Sequence, residues 1–144
     1  MINIFLADDD SDDVELFQEA LEEICISCTL TSSKDGIELL NKLSCPENSL
    51  PEVMFIDVNM PLMNGLECLE QIRLHESLKN IPVVILTTSI SPTTVERAYE
   101  LGANMFVEKP SDFKELKSMI VKVMKIDWSK YEPSELDDFI YRAS

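Results

Sequence analysis

The chain has 144 residues, 45% of them hydrophobic and 27% charged, the balance of one globular domain able to bury about 68–70% of its unfolded surface. Twelve basic residues face 27 acidic ones, and a net charge of −15 argues against autonomous binding to DNA or RNA while favouring a divalent cation or a basic partner surface. No apolar stretch approaches the roughly 20 residues that cross a bilayer, and no basic segment with a long apolar core opens the chain, so neither a membrane span nor a signal peptide is expected.

In chain order, the run Ile2–Ala7 has strand length and stops at Asp8-Asp9. Val14, Phe17, Leu21 and Ile24 then follow helical spacing behind Asp10-Ser11, which can supply an N-cap. A weaker strand over Thr29–Ser32 precedes a second helical stripe, Ile37, Leu40 and Leu43, placed after Ser33. The polar loop Ser44–Pro51 leads into Val53–Ile56, which ends at Asp57, and Leu66, Leu69 and Ile72 form a third stripe after Asn64-Gly65. Val83–Leu86 ends at Thr87. Ser91-Pro92 then opens a fourth helix with a capping serine and a proline in the first turn, and Gly102 closes it. Met105–Val107 runs through Glu108 into Lys109, and Asp112 with Glu115 resembles a capping box for a fifth helix bearing Phe113, Leu116, Ile120 and Val123.

Continuous apolar runs bounded by polar residues are the habit of strands buried on both faces of a parallel sheet. Five strand–helix units in alternation predict an α/β fold, a doubly wound (βα)5 arrangement with a five-stranded parallel sheet and helices on both faces. The units are complete by residue 125, so 1–125 reads as the domain and 126–144 as a C-terminal extension. In that extension Trp128 and Tyr131 can pack on the domain, and Pro133–Tyr141 is expected to form a short helix with Leu136, Phe139 and Ile140 on one face. Of the cysteines, Cys25 and Cys28 make one C-x2-C pair, but no second pair follows. Cys25, Cys28, Cys45 and Cys68 are therefore read as small buried hydrophobes. Reduced cysteines without an export signal place the chain in the cytoplasm.

Parallel strands share one direction, so Asp8, Asp9, Asp57, Thr87 and Lys109 meet at the carboxyl edge of the sheet, where open α/β folds bind ligands. Asp57 can act as a nucleophile and form an aspartyl phosphate once the facing phosphoryl charge is neutralised. Asp8 and Asp9 repel Asp57 unless a cation intervenes, and Mg2+ favours such carboxylates together with substrate oxygens. Lys109 and Thr87 then offer an ammonium and a hydroxyl to the remaining phosphoryl oxygens, and Asn59 can offer its backbone carbonyl to the metal. Either Thr87 or Thr88 could instead merely cap its strand. Asp12 and Asp13 fall in a first helical turn, where the dipole favours acids, and are given no chemical role. His75, the one histidine, is read as solvent-facing.

Asp8-Asp9, Ile56-Asp57-Val58-Asn59-Met60-Pro61 with Gly65, Thr87 and Lys109-Pro110 together resemble the receiver domain of two-component response regulators over about residues 1–125. The Asp10–Asp13 region, the Ser44–Pro51 loop and the lack of an effector domain resemble stand-alone regulators paired with bacterial phytochromes. The resemblance implies that Asp57 accepts a phosphoryl group from a sensor histidine kinase or a histidine phosphotransfer protein. It implies that Asp9, Asp57 and the Asn59 carbonyl bind Mg2+, with Asp8 acting through water, and that Lys109 and Thr87 hold the phosphoryl oxygens. Thr87 and Phe106 would be the switch pair, the Lys109–Pro110 peptide bond would be cis, and Asn59 and Ser89 would tune the acyl-phosphate lifetime. The responding surface would include Val95, Tyr99, Phe106 and Phe113. Phe106 departs from the commoner tyrosine, so its switching would rely on packing.

The reading is a phosphorelay switch, not an enzyme turning over an outside metabolite. It would pass its signal to a downstream protein or through self-association as a homodimer, without direct nucleic-acid or membrane contact. Two alternatives stand beside it. One is a Mg2+-dependent phosphohydrolase with a transient aspartyl phosphate, which usually needs a second carboxylate where this chain has Asn59. The other is a binding module of the same fold that is never phosphorylated.

Overall fold

The computed structural model describes residues 2–24, 27–88, 90–129 and 139–141. Six strands form one sheet: β1 (Ile2–Ala7), β2 (Cys28–Ser33), β3 (Val53–Ile56), β4 (Val83–Thr87), β5 (Met105–Glu108) and β6 (Ile140–Tyr141). They run in the order β2-β1-β3-β4-β5-β6, and every pairing is parallel. Between them lie α1 (Ser11–Glu23), α2 (Gly36–Ser44), α3 (Gly65–Leu74), α4 (Pro92–Glu100) and α5 (Phe113–Met124).

Alternation along the strands divides the interior into two cores. Ile4 and Leu6 of β1, with Val53 and Phe55 of β3, face α1 and α5 through Phe17, Leu21, Ile120 and Val123. Phe5, Ala7, Met54 and Ile56 point to the opposite side, where Leu39, Leu69, Ile72 and Val95 bring in α2, α3 and α4. A strand covered on both sides must be apolar at every position, which is why these runs showed no polar alternation.

Side-chain caps open each helix by satisfying backbone N–H groups that lack an intrahelical partner. Asp10 accepts from the Asp12 and Asp13 amides, Ser91 from Thr94 and Asp112 from Glu115, while Asn64 and Glu67 form a reciprocal capping box. For α2 the cap is Asp35, which accepts from the Glu38 amide, so the helix follows Ser33 as expected and begins at Gly36. That phase leaves Ile37 43% exposed and puts Leu39 in the core instead.

The sixth strand departs from the expected five. Once β5 is laid down, its outer edge carries unpaired backbone groups, and Ile140 and Tyr141 pair there in register with Phe106 and Val107. Residues 140 and 141 are thus strand and not the end of a helix, since a short apolar run has no period that distinguishes the two. Leu136, Tyr131, Cys25 and Ser89 lie outside the described residues. Phe139 is fully buried, edge-on to Tyr99 with ring centroids 5.2 Å apart and 6.2 Å from Phe106. Among the described residues no helix is long and apolar enough to cross a membrane.

Candidate functional site

The order of connections reverses at β1, which lies between β2 and β3, and ligand crevices form at such switch points. Asp8 follows β1 and Asp57 follows β3, on either side of that crevice. Backbone bonds lace the loops together: the Asp8 amide donates to Ser33 O, the Asp57 amide to Ala7 O, and the Lys109 amide to Thr87 O, each at 2.9 Å. Asp57 Oδ1 accepts from the Asn59 amide at 3.2 Å, and Asp8 Oδ1 from the Asp10 amide at 3.0 Å, which fixes both carboxylates against their own loops. Gly65 closes the loop after Asp57 by donating to Val58 O.

Asp8 and Asp57 are buried, whereas Asp9 is exposed, and the three present carboxylate oxygens within 4.8 Å of one another. Lys109 reaches over from the end of β5. Its Nζ lies 2.7 Å from Asp8 Oδ2, 2.8 Å from Asp13 Oδ2 and 3.0 Å from Asp57 Oδ2. Burial alone would lower the lysine pKa, but the hydrogen bonds it donates to Asp13, Asp8 and Asp57 together outweigh that effect and hold the ammonium above its usual value. Burial raises the Asp8 pKa, and the Lys109 bond and the Asp10 amide offset only part of that rise. Asp8 therefore gains from any added positive charge. Three converging hard oxygen donors could hold a hard divalent cation, which prefers oxygen ligands.

Of the residues singled out by sequence, Asp8, Asp9, Asp57 and Lys109 converge. Thr87 ends β4 fully buried, joined to Lys109 through its backbone, whereas Thr88 is exposed. Asn59 is exposed and meets Asp57 through its amide. Phe106 and Val95 are both buried in the α4-side core. Tyr99 and Phe113 are half-buried. The described residues contain no cis peptide bond, so Lys109–Pro110 is trans, in line with the ordinary preference of about 0.5–1 kcal/mol for trans before proline.

Sequence reading missed Asp13. Its spacing marked it only as a first-turn acid, but helical side chains lean toward their own N-terminus, and α1 begins at the carboxyl edge of the sheet. With Asp10 capping the helix, that lean brings Asp13 to Lys109, 96 residues away in sequence.

Comparison with known proteins agrees with this geometry. The family described as the response regulator receiver domain matches residues 4–121. Response regulator Rcp1 of Synechocystis sp. is 36% identical over 121 residues, covering 81% of this chain and 82% of that protein. A probable methanogenesis regulatory protein of Methanothrix harundinacea, FilR2, is 32% identical over 132 residues, covering 88% and 85%. Among solved structures, the phosphorylated cyanobacterial phytochrome response regulator RcpA superposes with a TM-score of 0.79 at 31% identity, covering 91% of this chain and 96% of its own. The Mn2+-bound form of Rcp1 also gives 0.79, at 29% identity, covering 92% and 98%. With the fold, the acidic crevice and the matched span in agreement, the chain belongs to the response regulator receiver domain family of two-component signalling.

Proposed function

We propose that this receiver is a phosphorylation-controlled interaction switch in which Asp57 is the phosphoacceptor. The observation that carries the reading is the placement of Lys109 Nζ 3.0 Å from Asp57 Oδ2, inside a cluster whose other members, Asp8 and Asp9, converge on the same carboxylate. A carboxylate is a weak nucleophile, so charge neutralisation and alignment are what the pocket contributes. The donor is a phosphohistidine on a sensor histidine kinase or phosphotransfer protein. Asp57 attacks its phosphorus, the phosphorus–nitrogen bond breaks, the imidazole departs, and an acyl phosphate remains on Asp57. Asp8, Asp9, Asp57 and the Asn59 carbonyl would hold Mg2+, which supplies neutralising charge at the transferring group. Lys109 and the Thr87 hydroxyl bind phosphoryl oxygens.

Thr87 is in register with Glu108, two residues beyond Phe106, so a displacement of the Thr87 segment reaches β5 directly through strand pairing. The acyl phosphate thereby biases a two-state element that comprises Thr87, Phe106 and the packing of α4 on β5. The output is altered binding to a downstream protein, in the cytoplasm, with no turnover of an outside metabolite. Asn59 stands where a phosphohydrolase of the aspartyl-phosphate type would use a second carboxylate, which favours the switch over that alternative.

Incubation with Mg2+ and acetyl phosphate tests the assignment by intact-mass spectrometry. Stable addition of one phosphoryl group, absent in Asp57→Asn, is the expected result. Rapid release of free phosphate without stable label would favour the phosphohydrolase, and no reaction at all would favour a module that is never phosphorylated.

A further inference from the structure

Lys109 serves three acids, and only two of them, Asp8 and Asp57, belong to the carboxylate triad that can hold a metal. A dication entering that triad competes with the ammonium for the same oxygens and also repels it. Unless the lysine has somewhere else to put its charge, part of the gain from binding the metal is lost in stripping Lys109 of its partners. Asp13 lies outside the triad, with Oδ2 2.8 Å from the ammonium. Its backbone is held in the first turn of α1, where the Asp10 carboxylate accepts from both the Asp12 and Asp13 amides.

We propose that Asp13 is a positioning residue for Lys109, a standing counter-charge that holds the ammonium beside the crevice while Asp8 and Asp57 turn to a divalent cation. The inference rests on the metal-dependent phosphoacceptor reading above and adds to it a part for a helix residue. Asp13 touches neither the phosphoryl group nor the metal. It lets one lysine switch from neutralising carboxylates to meeting a phosphoryl oxygen without passing through an uncompensated state. The Asp13 side chain is 36% exposed, so solvent screening limits the effect.

The test is a double-mutant cycle on Mg2+ affinity, measured by isothermal titration calorimetry on the full chain, with acetyl-phosphate labelling of Asp57 followed in parallel. Asp13→Asn is expected to weaken Mg2+ binding about two- to fivefold, the range a partly exposed ion pair allows. In a Lys109→Met background the same substitution is expected to leave the affinity unchanged, because there is no ammonium left to hold. Lys109→Gln provides a second background should the methionine variant fold poorly. An equal loss with and without Lys109 overturns the proposal, since Asp13 would then act only as distant negative charge. An unchanged Mg2+ affinity in Asp13→Asn overturns it as well, while normal labelling of Asp57 in the same samples would leave the phosphoacceptor reading standing. If wild-type protein binds Mg2+ but takes no label, the phosphoacceptor reading fails, and the cycle still decides the part played by Asp13. Wild-type protein that binds no Mg2+ defeats both.

Discussion

Gly65 is the residue on which the backbone around Asp57 depends most closely. A Cβ placed there would sit 2.2 Å from the Asp57 carbonyl oxygen, 2.8 Å from its carbonyl carbon and 3.0 Å from Val58 Cα. Ordinary contact begins near 3.4 Å, so Gly65→Ala must open more than an ångström between the start of α3 and the end of β3. All three opposing atoms are backbone, and the Gly65 amide also donates to Val58 O, so no side chain can swing aside to make room. Overpacking of this kind costs about 1–3 kcal/mol, and a backbone obstacle places this case near the top of that range. In a chain of this size that corresponds to a fall in Tm of roughly 6–12 °C. The comparison is Gly36→Ala, whose Cβ meets Met63 O at 2.8 Å and the flexible Met63 side chain at 2.9 Å, and which should cost less. Urea unfolding monitored by circular dichroism gives the free energies, and the rate of acetyl-phosphate labelling reports whether Asp57 has moved. If Gly65→Ala unfolds within about 0.5 kcal/mol of wild type, the tight approach of α3 to the phosphoacceptor segment is refuted.

Other perturbations probe different parts of the molecule. Lys109→Met leaves Asp8 and Asp57 facing each other without an internal cation. It should destabilise the metal-free protein by about 3 kcal/mol, with a smaller loss in saturating Mg2+; an equal loss under both conditions in urea unfolding would contradict this. Burial, followed by the Asp35 charge, pushes the Cys68 thiol up to about 12 from an unfolded value of 9.0. The folded state thus holds that proton more tightly, so the contribution is full below pH 9 and declines as pH rises from 9 toward 12, by at most about 1.4 kcal/mol per unit. At pH 8, iodoacetamide should label the half-buried Cys28 and Cys45 while sparing Cys68 until denaturant is added; early modification at Cys68 by peptide mapping would argue against its burial. Phe139→Ala should remove the ring that fills the space against Tyr99 and Phe106, costing up to about 3 kcal/mol in urea unfolding and raising Tyr99 exposure. A change under about 0.5 kcal/mol would mean that the 139–141 segment does not hold to the sheet.

Much of this architecture was legible one segment at a time. The runs Ile2–Ala7, Val53–Ile56 and Val83–Thr87 are apolar at nearly every position because both of their faces are covered, and that signature is local. Caps such as Asp10, Ser91 and Asp112 are legible for the same reason, since each bond closes within three residues. Asp8, Asp57 and Lys109 could be assigned to one edge because parallel strands share a direction, a rule that converts three separate strand ends into one place. The α2 stripe was less legible: Ile37 was expected on the core face, but the helix capped by Asp35 buries Leu39 and Leu43 and leaves Ile37 exposed.

Composition and short-range pattern were enough to determine the five strand–helix units, their parallel sense and the acids that share an edge, because burial and capping act between neighbours along the chain. Tertiary structure alone decided that Asp13 joins Lys109, that Phe139 packs on Phe106, and that the sheet continues to a sixth strand. Those outcomes depend on which surface remains open after the domain has closed. No periodicity in the sequence records a contact between residues that meet only when distant edges are brought together.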